Sequence, residues 1–260
     1  MNEYLDEICH IAKTAGVEII KFYQCDFSVQ FKLDQSPLTQ ADNAAHDVIA
    51  SKLHELSPSI PILSEEDIDS FKKPNKSGRY WLVDPLDGTK EFINQNNEFT
   101  VNIALIEHGM PVLGVVYAPA MRELYFAAKD CGAWKKFDNG SVRSLFASPR
   151  DARDYVAVVS SRSHANQQTM DYLKRFDSQH LVALGSSLRF CLIAEGLADV
   201  YPRFGPTSLW DTAAAHAILL EAGGNVFDLN GEPLNYANPN ILLNPYFIAC
   251  GQEFKHLAIN

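Results

Sequence analysis

The spacing of apolar residues changes twice along this chain, and those changes limit the folds open to it. Leu5, Ile8, Ala12, Ala15, Ile19 and Phe22 recur three and four apart, one stripe on a helix covering most of residues 3–23. Ala45, Val48, Ile49, Leu53 and Leu56 repeat the pattern, so a second helix runs over 41–56, closed by Pro58 and Pro61. Residues 60–63 then read as a short buried strand entering the acidic run at 64–67, and residues 79–83 as another strand that ends in acids. Residues 99–119 form a hairpin turning at His108-Gly109; residues 122–128 and the flanks of Asn139-Gly140 add further strands. The first half is therefore helices on a largely antiparallel sheet.

From residue 155 the pattern alternates. Strands fall at 155–161, 180–185, 225–229 and 246–250, helices at 166–176, 187–198 and 211–224, the last stopped by Gly223-Gly224. Residues 199–204 read as an exposed strand or loop. Such alternation favours an α/β layer with some parallel pairing. The expected organisation is an α+β unit over 1–150 and an α/β unit over 151–260, divided in the Pro-, Asp- and Arg-rich stretch at 148–154.

Composition removes several function classes. Lys plus Arg is 22 against 32 Asp plus Glu, a formal charge of −10, which argues against a general nucleic-acid or anionic-lipid surface. Cys9, Cys25, Cys131, Cys191 and Cys250 are scattered and include no C-x-x-C pair, so they read as free or buried thiols of a reducing compartment. No apolar run has the length of a membrane span, and the acidic, amphipathic N-terminal segment is unlike a cleaved signal. A soluble cytoplasmic protein is expected.

Four acids share one arrangement. Glu65, Asp84 and Asp87 follow apolar segments, and Asp211 opens a helix. Two carboxylates about 4 Å apart repel by roughly 4 kcal/mol at an effective dielectric of about 20, so a pair as close as Asp84 and Asp87 calls for a counter-charge. Pro85 fixes the backbone between them, and a turn there can aim the Leu86 carbonyl with both carboxylates. Oxygen ligands of this kind suit Mg²⁺. Gly88 lets a phosphate approach the backbone, and Thr89 opens a short helix whose N–H groups attract an anion. Taken singly, each piece has a plainer reading. Asp87-Gly88 is a common turn, Thr89 or Asp211 can be an N-cap, residues 65–67 a solvated loop, and His46 and His216 surface or core residues. Joint agreement by chance is much rarer.

The segment Asp84–Thr89, with Ser64–Glu66 upstream and Trp210–Gly224 downstream, resembles the inositol monophosphatase superfamily of Mg²⁺-dependent, lithium-sensitive phosphatases, in family order over nearly the whole chain. Within it the chain is similar to the bacterial 3′(2′),5′-bisphosphate nucleotidases of sulfur metabolism, which hydrolyse 3′-phosphoadenosine 5′-phosphate to AMP. That branch is indicated by residues 160–164, residues 185–211, and Leu86 where inositol phosphatases usually carry isoleucine.

The resemblance implies a layered αβαβα sandwich of the inositol monophosphatase and fructose-1,6-bisphosphatase type. It implies two Mg²⁺, with a third open, held by Glu65, Asp84, Asp87, Asp211 and the Leu86 carbonyl. Gly88 and Thr89 would hold the scissile phosphate, and Asp42 would pair with the Thr89 hydroxyl to activate water. Lys32 lies where the family often has a basic residue near the site. His164, Gly185, Ser186 and Arg189 match nucleotide-contacting positions, with arginine at 189 where relatives usually have lysine. Arg162, Arg203, Tyr201 and Phe204 would complete a basic and aromatic pocket, with Asp211 also facing the substrate. The expected partner is a small nucleotide bisphosphate, with no nucleic acid and no integral membrane segment. A monomer and a homodimer both stay open, as does peripheral placement on the cytoplasmic face of the inner membrane.

Two other readings remain at this point: an inositol- or sugar-monophosphate phosphatase, and a noncatalytic metal or nucleotide sensor. A sensor has no use for a water-activating pair such as Asp42 and Thr89. The lack of G-x-S-x-G and of a cysteine beside a base argues against a serine or cysteine hydrolase.

Overall fold

The computed structural model describes residues 3–23, 29–31, 37–148, 154–160 and 167–258. In chain order the elements are α1 (Leu5–Tyr23), β1 (Val29–Phe31), β2 (Pro37–Thr39), α2 (Gln40–Leu56), β3 (Ile62–Ser64), β4 (Arg79–Asp87), α3 (Thr89–Ile93), β5 (Thr100–Glu107), β6 (Met110–Ala118), β7 (Glu123–Ala128), β8 (Ala133–Lys136) and β9 (Val142–Ser144). There follow β10 (Val156–Ser160), α4 (Gln167–Leu173), β11 (Gln179–Ala183), α5 (Leu188–Ala194), β12 (Val200–Arg203), α6 (Ala213–Glu221), β13 (Asn225–Asp228), β14 (Phe247–Cys250) and α7 (Lys255–Ala258).

Strands β3 to β9 form one seven-stranded sheet in sequence order, antiparallel except for the β3–β4 pair. A five-stranded sheet runs β11-β10-β12-β14-β13, with β10 parallel to both its neighbours. Helices α1 and α2 pack on one face of the first sheet through the apolar stripes seen in the sequence. Helices α5 and α6 lie between the sheets, and α4 and α7 cover the outer face of the second. This is the αβαβα sandwich expected. No helix among the described residues is long and apolar enough to cross a membrane.

The central layer depends on close approach. Five of the nine residues of α6 are alanine or histidine, and its packing on β6 is set by Gly114: a Cβ there would meet the Ala214 carbonyl oxygen at 2.1 Å. Any side chain at 114 would lift α6, and with it the loop carrying Asp211, off the sheet. Opposite, Trp81 is fully buried and its indole N–H donates to Ser57 Oγ at 2.8 Å, tying β4 to the end of α2.

Two expectations are corrected. Residues 199–204 are not an exposed strand or loop: β12 is a buried inner strand. Pro202 is tolerated there because β12 pairs with β10 only at Val158–Val200, leaving the proline where that ladder has already ended. Nor does the strand at 79–83 stop before the acids. β4 continues to Asp87 through a register shift, with Asp84 opposite Asn102 and Asp87 opposite Thr100.

Candidate metal and phosphate site

That register shift builds the site. Residues three apart in a regular strand point to opposite faces. Here Pro85 and Leu86 together oppose Val101, one extra residue, so Asp84 and Asp87 fall on one face, as their partners Asn102 and Thr100 do. The Leu86 N–H turns in to donate to Asp84 Oδ1 at 3.0 Å, which fixes the Asp84 carboxylate.

Glu65 follows β3, whose parallel pairing with β4 sets it beside Asp84. Asp211 comes from the loop before α6, where its Oδ2 accepts the Ser208 N–H at 2.8 Å, so it shapes that loop rather than capping the helix. Glu65, Asp84 and Asp211 each offer a carboxylate oxygen within 4.8 Å of the others. Asp87 stands beside this trio, but its Oδ2 is taken by the Ser187 N–H at 2.6 Å and Asn102 Nδ2 at 3.3 Å. Burial, then the charges of Glu65, Asp87 and Asp211, pushes the Asp84 carboxyl well above its ordinary range. Burial, then Asp87 and Glu65, does the same to Asp211, against a smaller opposing pull from the Ser208 N–H and Arg203. A set of hard oxygen donors that repel each other fits a divalent cation.

Helix α2 supplies the other wall. Asp42, buried in its first turn, faces Thr89, whose hydroxyl lies 3.4 Å from Asp42 Oδ1 and 3.3 Å from the Leu86 carbonyl oxygen. Both contacts are long, so the single hydroxyl proton is shared between two acceptors and neither holds it strongly. One turn on, His46 Nδ1 lies 2.9 Å from Ser64 Oγ, bracing the strand end that carries Glu65. Gly88, between Asp87 and Thr89, has φ 89°. Beside it sits Ser186, also left-handed at φ 49°, buried, its hydroxyl without a hydrogen-bond partner among the described residues.

The remaining predicted residues separate. Gly185 donates its N–H to Glu98 Oε2 at 2.8 Å, holding the 185–187 segment against the site. Arg189 Nε donates to the Ser186 carbonyl at 2.9 Å and Nη1 to the Tyr201 hydroxyl at 2.7 Å, its guanidinium over the Tyr201 ring. Burial opposes its charge, but Tyr201, Asp87, Glu91 and Asp211 more than offset this, and its pKa is raised. Arg203 is committed to Thr207 Oγ1 and the Pro206 carbonyl, at 2.6 and 2.7 Å, and so braces the loop ahead of Asp211. Tyr201 packs with Phe190 and Phe247 in the core between the sheets, whereas Phe204 packs on Tyr172 in the outer layer, so these aromatics do not share one wall. Lys32, Arg162 and His164 lie outside the described residues. His216 is a core residue: burial lowers its pKa to about 3, and its Nδ1 meets the Tyr236 hydroxyl at 3.1 Å.

Sequence reasoning missed Asn102, Ser187, Glu98 and Asn244. Ser187 Oγ accepts from Asn102 Nδ2 at 2.9 Å and donates to the Asp211 carbonyl at 2.7 Å, joining β5 to the loop that carries Asp211. Asn244 Nδ2 reaches the Ser208 carbonyl at 2.7 Å, Thr212 Oγ1 at 3.1 Å and the Thr207 carbonyl at 3.3 Å. Asn102 did leave a signal, a lone amide within an apolar strand.

The family model for the inositol monophosphatase family matches residues 1–258. The 3′(2′),5′-bisphosphate nucleotidase CysQ of Escherichia coli (strain K12) is 50% identical over 245 residues, 94% of this chain and 98% of that one. Its counterpart in Haemophilus influenzae is 36% identical over 256 residues, 97% and 95% of the two chains. Among solved structures, CysQ from Bacteroides thetaiotaomicron superposes with a TM-score of 0.81 at 40% identity, over 96% of this chain and 99% of that one. The IMPase of Thermotoga maritima gives 0.79 at 25% identity, over 96% and 93%. The chain belongs to the inositol monophosphatase family, on its 3′(2′),5′-bisphosphate nucleotidase branch.

Proposed function

We propose that this chain is a Mg²⁺-dependent phosphatase that hydrolyses 3′(2′)-phosphoadenosine 5′-phosphate to AMP and phosphate. The observation that carries the reading is the meeting of Glu65, Asp84 and Asp211 oxygens within 4.8 Å, beside the Thr89 hydroxyl and Asp42. Together with Asp87 and the Leu86 carbonyl, these residues would hold two Mg²⁺. When bound, Mg²⁺ supplies charge neutralisation and Lewis-acid activation at the phosphoryl group.

The protein's own groups do the rest. Thr89, shared between Asp42 and the Leu86 carbonyl, orients the attacking water, and Asp42 accepts its proton. Gly88 leaves room for the phosphate, and the Ser186 hydroxyl supplies a donor with no competing partner among the described residues. Arg189 keeps Nη2 available after pinning Nε and Nη1, which suits a second phosphate on the substrate. That second anion-binding group favours a bisphosphate over an inositol monophosphate. The placement proposed with this activity is cytoplasmic, since scattered cysteines without a C-x-x-C pair suit a reducing compartment.

The test compares kcat/KM on the adenosine bisphosphate and on inositol 1-phosphate, with and without Mg²⁺ and Li⁺. We expect release of the 3′-phosphate that requires Mg²⁺ and falls with Li⁺. A preference of about a hundredfold, roughly 2.7 kcal/mol, for the inositol ester would assign the chain the other substrate class. Tight nucleotide binding without phosphate release would make it a sensor.

A further inference from the structure

A groove of about 440 Å³ opens between α1 and the β6–β8 end of the first sheet. It shares no lining residue with the acidic cluster, and its charge is opposite to that of the chain. Lys13, Lys21, Arg122 and Lys136 line it, with Asp138 the one carboxylate among its lining residues. In a protein with ten more acids than bases, such a gathering of cations needs an occupant or a reason.

The cations are available. Arg122 meets Asp138 at 3.3 Å and Lys21 meets Glu18 at 2.6 Å, both exposed pairs of the kind that contribute about 0–1 kcal/mol. Lys13 and Lys136, both half-buried, pair with no carboxylate among the described residues.

The walls are built rather than incidental. A Cβ at Gly16 would fall 2.5 Å from the Tyr117 ring, so glycine lets that ring lie against α1 and form the floor. Phe137 is held at the rim, with the Lys135 and Arg143 cations 5.0 and 5.3 Å from its ring centre. Cross-strand pairs Val101–Tyr117, Tyr117–Leu124 and Leu124–Lys136 put the groove on the sheet rim that carries Asp87. At about 4.8 Å per strand it lies roughly 10–19 Å from β4.

We propose that this groove is a second, noncatalytic anion site whose ligand is a soluble nucleotide carrying more than one phosphate. Cations on α1, the β6–β7 turn and β8 meet charges spread over several phosphates, and Tyr117 and Phe137 line the groove where a base would lie. This assignment does not depend on the substrate proposed above.

The test uses the full chain in EDTA, where the metal-free carboxylates repel phosphate and keep nucleotide from the acidic cluster. Calorimetric titration with ATP should show one saturable site. Affinity should fall at least tenfold in Lys13→Glu/Lys136→Glu, and likewise in Lys21→Glu/Arg122→Glu, which changes the two exposed cations, with melting curves showing that both variants fold. Inorganic triphosphate should bind more weakly than ATP; equal affinity would remove the role given to the aromatic faces and overturn the nucleotide assignment. Unchanged ATP affinity in both folded variants, or no saturable binding to the wild type up to about 5 mM, overturns the site. Retention on phosphatidylglycerol vesicles without nucleotide binding would assign the groove to a membrane surface instead, and overturns the proposal equally.

Discussion

Replacing Asp84 by asparagine should make the metal-free protein more stable and the Mg²⁺-loaded protein less so. Asp84 is 1% exposed, and one of its oxygens lies within 4.8 Å of oxygens from both Glu65 and Asp211. Each such pair costs about 3.5 kcal/mol at an effective dielectric near 20, so full ionisation would burden Asp84 with about 7 kcal/mol. The protein has a cheaper course. Protonating a carboxyl of ordinary pKa 3.8 at neutral pH costs about 1.36 kcal/mol per unit, or roughly 4 kcal/mol in all. That figure caps what asparagine can recover, and the expected gain is about 2–4 kcal/mol. Asparagine keeps the acceptor that the Leu86 N–H uses, and the two donors of its new amide face the Glu65 and Asp211 carboxylates, which can accept them.

The assay is thermal unfolding in EDTA and in saturating Mg²⁺. At about 2–4 °C per kcal/mol for a chain of this size, the variant should melt on the order of 5–15 °C above wild type in EDTA. In Mg²⁺ at 1,000 times its Kd the order should invert, because the ligand then adds about 4.1 kcal/mol to wild type and little to the variant. The pH dependence has a definite sign. Raised carboxyl pKa values mean that the folded state holds more protons than the unfolded one above pH 3.8, so metal-free stability is lost as pH rises through that window. His216 acts oppositely: lowered to about 3, it costs stability as pH falls below 6.5, where the unfolded imidazole is protonated. The difference between the two proteins cancels the histidine, and the Asp84→Asn advantage should shrink as the pH approaches 4. A variant that melts below wild type in EDTA, or an advantage independent of pH, would refute the reasoning.

Asp87→Asn should abolish turnover while the protein stays folded, read by phosphate release and circular dichroism; near-normal turnover removes Asp87 from the ligand set. Thr89→Ala should lower kcat by about 10²–10⁴-fold, with Thr89→Ser, which keeps the hydroxyl, recovering most of it. Asn244→Ala and Asn244→Asp both remove the amide that binds the Thr207 and Ser208 carbonyls, and should raise the Mg²⁺ dissociation constant measured by calorimetry about 10–100-fold. Mg²⁺ affinity unchanged in both would show that the Asp211 loop holds its shape alone.

The residues of the site were legible one at a time; what was not legible was the geometry that makes them a site. Alternation along β4 would send Asp84 and Asp87 to opposite faces, and only the bulge at Pro85-Leu86 reverses that. Pro85 hints at the irregularity, since a proline inside a strand is favoured at a bulge, but the register belongs to the β4–β5 pair and not to either strand. Asp211 was picked out at a helix start for its position, whereas what orients it is the Ser208 N–H, in a loop pinned by Asn244 from a distant segment and by Ser187 from a third. Long-range polar pins of this kind leave no periodicity behind. The apolar stripes did leave one, so α1, α2 and the β5–β6 hairpin were read close to their observed ends, while β12 was misread because its proline and arginine look like surface residues and its burial comes from strands on both sides. A helix or hairpin is specified by its own residues. A cluster of mutually repelling carboxylates is specified by the neighbours that hold it together, and in this chain those neighbours are single asparagines and serines.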